Sequence, residues 1–129
     1  MPFSFHVDAS AKVLHIHATG EVTDADAMDL SSRLRREVAF VTGYPILCDC
    51  SELTAVLISS DLIEWLGKSA RSRTNPVAVI APCPVAFGLA RMYQVFSDPE
   101  NARIHVFAGA GEAMAWLKTH LEGLLQRAG

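Results

Sequence analysis

Val77-Ala78-Val79-Ile80-Ala81, preceded by Asn75-Pro76 and followed by Pro82-Cys83-Pro84, decides how this chain is read. Five apolar residues in succession, bounded by turn formers, suit a strand covered on both faces, the hallmark of a parallel sheet. Pro84 fits the first position of a helix with Cys83 as its N-cap, and the pattern carries that helix from about Pro84 to Ser97. The unit is strand, tight turn, helix, and the rest of the chain repeats it.

Working toward the N-terminus, Ser59-Ser60-Asp61 offers helix N-caps, with Glu64 placed to reciprocate Asp61. Leu62, Ile63, Trp65, Leu66 and Ala70 form the apolar face of that helix, and Lys68, Arg71 and Arg73 suit its C-terminal end. Ser51 to Ile58 is the least periodic part of the chain, and Ile46 to Cys50 reads as a parallel strand. A helix from about Asp24 to Phe40 is expected to bury Ala27, Leu30, Leu34, Val38 and Val41, with Thr23 and Asp26 as a capping box and Gly43-Tyr44-Pro45 as its break. Phe3 to Val7 and Val13 to Ala18 alternate, with a turn between them and Gly20 closing the second strand. This predicts an antiparallel hairpin in which Phe5 faces Leu14 and Phe3 faces Ile16. Phe3, Phe5, Leu14 and Ile16 then share the core face, and Ser4, His6, His15 and His17 the other. Toward the C-terminus, Arg103 to Phe107 is another strand. Gly109-Ala110-Gly111 leads into a helix over 112–126 with Ala113, Trp116, Leu117, Leu121 and Leu124 on its apolar face.

The element order is ββαβαβαβα. It implies right-handed crossovers and a mostly parallel five-stranded sheet with four helices and an antiparallel N-terminal hairpin, in a single α/β domain over 1–129. A chain of 129 residues, 50% hydrophobic and 19% charged, is of ordinary globular composition. A net charge of −3 without a basic stripe excludes a nucleic-acid footprint, and no apolar run reaches the ~20 residues of a membrane span. The first residues lack the pattern of a signal peptide, and three cysteines are too few for a disulfide framework. A cytoplasmic location is expected.

No motif names a reaction. Ser59 and Ser60 read as plain N-caps or as phosphoacceptors, because a helix N-terminus stabilises phosphate. Cys83 reads as a turn residue or as a thiol activated at a helix start. The C-terminal ends of the strands, with Asp49, Cys50, Cys83 and Ala108, are the expected ligand edge. Cys48 and Cys50 share one side of a strand and read as structural thiols. His6, His15 and His17 read as a solvated face, so no metal and no cofactor are expected. Phe87, Met92, Val95 and Phe96, with Trp65 and Trp116, read as core or as the lining of an apolar cavity. Arg91 could bind an anionic head group or pair with Asp49, and Tyr93 lies beside it on the same helix. An apolar helix face would support a homodimer.

The strings Ile46-Leu-Cys-Asp49, Val77 to Ala81, Phe87-Gly-Leu-Ala-Arg-Met-Tyr93, and Val106-Phe107 followed by Glu112-Ala-Met-Ala-Trp-Leu117 resemble the SpoIIAA-like branch of the STAS superfamily. More narrowly, they are similar to small bacterial STAS/CRAL-TRIO-like proteins. The resemblance covers nearly the whole chain. It implies a (βα) superhelix and non-catalytic work, either regulation through a partner protein or carriage of a small apolar or lipid-like ligand. STAS antagonists carry Asp-Ser before a helix; here Leu57-Ile-Ser-Ser-Asp-Leu62 places Asp61 after Ser59 and Ser60. The remaining expectation is an enzyme using Cys83 or Asp49, which ranks last because no base, nucleophile and orienting group come together in the sequence.

Overall fold

The computed structural model describes residues 2–128, with side chains described for 2–120. Its elements are β1 (Phe3–Asp8), β2 (Val13–Thr23), α1 (Asp24–Leu34), α2 (Val38–Val41), β3 (Ile46–Leu57), α3 (Ser60–Ser69), β4 (Val77–Ile80), α4 (Pro84–Ser97), β5 (Ile104–Phe107) and α5 (Ala110–Ala128). The strands lie in chain order, β1-β2-β3-β4-β5. β1 and β2 are antiparallel and every later pair is parallel.

The key stretch behaves as its composition requires. β4 lies between β3 and β5, Leu47 and His105 flanking Ala78, and Ala81 extends the ladder by donating to the Phe107 carbonyl at 2.8 Å. Its residues alternate between two apolar layers. Val79 packs with Ala86 of α4 on one face, whereas Ala78 and Ile80 pack with Ala113 and Leu117 of α5 on the other. Three parallel crossovers each step one strand in the same direction, and a right-handed path places their helices on one face. α5 has no strand after it in the sheet and closes the other face.

Several expectations are corrected. Gly20 does not end the second strand. It sits at φ +68° beside a register shift, and β2 continues to Thr23. Residues 51–57 are likewise strand, pairing with Thr19 to Thr23. Two register shifts in this long ribbon destroy the period-2 alternation that would have marked it. The helix expected over 24–40 is two helices, making five in all, because Glu37 adopts extended backbone at φ −87° and ψ 122°. The break changes the helical phase, so Val38 is 71% and Val41 58% exposed while Ala39 is buried.

The hairpin register differs by two residues from expectation: Val7 faces Leu14 and Phe5 faces Ile16. The closing pair is Asp8 with Val13, leaving residues 9–12 as the turn. Lys12 takes a left-handed φ of 56°, and Asp8 accepts from the Ser10 hydroxyl and the Ala11 amide. A shift of two preserves the faces, so Phe3, Leu14 and Ile16 do share a core cluster. Ser59 caps α3 by accepting from the Leu62 amide at 3.2 Å, while Glu64 pairs with Lys68 and not with Asp61. The side chains of Leu121 and Leu124 lie outside the described residues.

Candidate functional site

α1 rests on β1 and β2, and α4 rests on β3 and β5. α3 packs chiefly on α4. The contact is close because Gly67 has no side chain: a Cβ there would stand 2.6 Å from the Phe96 Cβ and 3.2 Å from the Tyr93 carbonyl oxygen. Seated on α4, α3 roofs a space whose floor is the sheet and whose far wall is α1. The result is an apolar cavity of about 290 Å³. Its floor is Ile16, Cys48, Cys50, Val77 and Val79; α1 contributes Leu30 and Leu34, and α3 contributes Ile63 and Leu66. On α4 the lining residues are Ala86, Leu89, Ala90 and Tyr93, one helical face whose two alanines leave room below.

Three polar residues of the wall, Arg73, Asn75 and Arg103, lie where the chain enters β4 and β5. Arg73 lies over the Phe40 ring, 4.7 Å from its centroid. Asn75, 2% exposed, donates to the carbonyls of Phe40 at 3.0 Å and Tyr44 at 2.9 Å. Arg103 donates to the carbonyls of Asn75 at 3.1 Å and Ala70 at 2.8 Å. Burial raises the pKa of the Tyr93 phenol against the opposing pull of the Arg103 and Arg73 charges, so it remains a hydroxyl donor. The Cys48 and Cys50 sulfurs are 3.8 Å apart on the floor. Either sulfur can donate in this contact; it raises the Cys48 thiol, with burial adding to the rise, and lowers that of Cys50, making Cys50 the one that ionises first.

Of the residues expected to bind a ligand, Tyr93 lines the cavity and Asp49, Cys83, Phe87 and Arg91 do not. Asp49 points from the opposite face of β3, where its carboxylate is 3.7 Å from His17. Cys83 is an exposed N-cap without a side-chain capping bond. Phe87 packs beside Val79 and Ala86, and Arg91 is exposed. The stripe Met92, Val95, Phe96, Trp65 and Trp116 is also absent from the lining. Trp65 is 49% and Val95 54% exposed, and Trp116 stacks among His105, Phe107 and His120 on the α5 side. The polar end lies at the N-terminal edge of β4 and β5, opposite the edge expected from parallel-sheet proteins. Arg73, Asn75 and Arg103 were missed because isolated polar residues before strands carry no periodic signal.

Elsewhere, Ser59 and Ser60 are exposed, and the Ser59 amide donates to Asp24 at 2.7 Å, so a carboxylate already occupies that helix start. His6 and His15 stack at 4.8 Å, and His17 reaches Glu52 at 3.2 Å. No group of three metal-type ligands forms among the described residues. No helix of the described residues is long and apolar enough to cross a membrane.

No protein-family model matches the chain, and no curated protein matches it in sequence. A solved structure does: an uncharacterized protein of the DUF3478 family with a SpoIIAA-like fold, from Shewanella loihica PV-4. It is 19% identical, the match covers 89% of this chain and 93% of that one, and the TM-score is 0.62. The fold of this chain is therefore SpoIIAA-like.

Proposed function

We propose that this protein binds a small apolar molecule in the cavity beneath α3 and α4, as a carrier or sensor and not as a catalyst. The observation that carries the reading is the cavity itself: about 290 Å³, open on one side and lined chiefly by aliphatic side chains of three helices and the sheet. Close packing is the rule in protein interiors, and a void of this size in a domain core forfeits contacts unless something fills it. An engineered apolar cavity of ~150 Å³ holds benzene, so the volume here suits a molecule of roughly a dozen non-hydrogen atoms. Small-molecule pockets begin near ~300 Å³ and are mainly apolar with few polar groups.

The test is native mass spectrometry of the delipidated chain with decan-1-ol. One bound molecule per chain, lost on Ala90→Phe, which fills the space, supports the reading. Failure of decan-1-ol and of every acid named below to bind removes it. A regulatory protein partner is the second reading, favoured by the exposed Leu57 and Trp65 on either side of Ser59 and Ser60. For its phosphoswitch form, a Ser59/Ser60 double alanine variant with unchanged partner binding is the decisive negative.

A further inference from the structure

We infer that the molecule held in this cavity is an organic acid, its apolar body over the sheet and its anionic end turned toward Arg73, Arg103 and Tyr93. This rests on the cavity being a binding site, as proposed above, and adds the chemical class and orientation of the ligand.

The argument begins with charge. The chain is acidic overall, at −3, yet the cavity wall contains Arg35, Arg73 and Arg103 and not one carboxylate. Neither Arg73 nor Arg103 makes an ion pair within 4.0 Å among the described residues. Asp98 offsets part of the Arg103 charge, but its carboxylate accepts the backbone N–H groups of Arg103 and Ile104 at 2.8 and 2.9 Å and does not grip the guanidinium. Arg35 is exposed, but Arg73 and Arg103 are half-buried, and taking a cation partly out of water has a cost that an anion beside it would offset.

Hydrogen bonding points the same way. Arg103 is held by two carbonyls, which fixes the guanidinium and leaves its remaining N–H groups to donate elsewhere. The Arg73 guanidinium lies over the Phe40 ring. Among the groups acting on the Tyr93 phenol are both guanidiniums, and no hydrogen bond to it is found among the described residues. Two guanidiniums and a protonated phenol are all donors. They ask for an acceptor with several lone pairs, which a carboxylate supplies and an alcohol or ester supplies less well. Residues 73, 75 and 103 lie at one end of strands β4 and β5, so the acceptor sits at that end and the apolar body extends toward Ile16, Val79 and Ala86.

The experiment uses the delipidated full chain and titration calorimetry with decanoate, methyl decanoate, decan-1-ol and 4-phenylbutyrate. Decanoate or 4-phenylbutyrate is expected to bind at least about tenfold tighter than methyl decanoate, as charge-assisted hydrogen bonds warrant. Which acid is preferred distinguishes a straight-chain from an aromatic source. Tyr93→Phe and Arg73→Met keep the shape of the wall, and both are expected to weaken acid binding by a larger factor than they weaken decan-1-ol binding. If decan-1-ol and the ester bind as well as the acids, the cavity reading stands and the acid inference is overturned. An acid preference unchanged in both variants overturns the placement of the anionic end. Should none of the four bind, the fault lies in the cavity reading beneath it.

Discussion

Replacing Gly67 by alanine should destabilise the protein, whereas the same change at Gly88 should stabilise it. Both glycines lie inside helices, where alanine is favoured by about 1 kcal/mol. Gly88 is exposed, and a Cβ there meets nothing within 4 Å, so that gain comes through undiminished at about 0.5–1 kcal/mol. At Gly67 the new Cβ would lie 2.6 Å from the Phe96 Cβ. Carbon atoms pack at roughly 3.5–4.0 Å, so α3 and α4 must separate by about an ångström. The Phe96 Cβ is anchored to its backbone and cannot swing aside. Overpacking of this kind costs about 1–3 kcal/mol. Against the propensity gain of about 1 kcal/mol, the net loss reaches about 2 kcal/mol. For a chain of 129 residues, 1 kcal/mol corresponds to about 4 °C in the melting temperature. Circular dichroism should therefore show Gly67→Ala melting up to about 8 °C lower and Gly88→Ala about 2–4 °C higher than the parent. Because α3 roofs the cavity, Gly67→Ala should also release bound decan-1-ol faster. A Gly67→Ala protein that gains stability in step with Gly88→Ala would refute the close crossing, and with it the account of why the cavity exists.

Other consequences are open to direct measurement. Ala90→Leu adds three carbons facing the cavity and should raise the stability of the delipidated chain by about 1–2 kcal/mol in urea melts while abolishing decan-1-ol binding; a loss of stability would mean that the space is not free. Asp98→Ala strands the Arg103 and Ile104 amides and should cost about 1–3 kcal/mol. Burial opposes ionisation of Asp98, but the Arg103, Ile104 and Ala102 amides prevail and hold its carboxyl below the ordinary 3.8. Its folded value lies under its unfolded one, so its contribution is complete above 3.8 and fades as pH falls through the folded value; Asp98→Asn should flatten that acid limb of the stability curve. Maleimide mapped by mass spectrometry should label exposed Cys83 first, then Cys50, then Cys48, and decan-1-ol should slow only the last two. Equal protection of Cys83 would place the ligand elsewhere.

Much of the architecture was legible because its causes are local. Val77 to Ala81 are apolar on every position because both sheet faces are covered, and Pro84 starts its helix where proline costs nothing. The hairpin faces survived a register error of two, since side-chain alternation has that period. What failed was non-local. Residues 51–57 form a strand only because β2 runs alongside, and bulges hide its alternation. Val38 and Val41 continued the spacing of α1 in sequence, but one extended residue, Glu37, turned them outward.

By itself, then, the sequence determined most of the elements, their order and the parallel sheet, since helical and strand periods are written residue by residue. The cavity was decided only by tertiary structure. It depends on how far α3 stands from the sheet, which the crossing at Gly67 sets, and on Arg103 meeting Arg73 and Asn75 from a separate segment. A distance between two elements, and a convergence of residues 28 or more positions apart, leave no periodic trace along the chain.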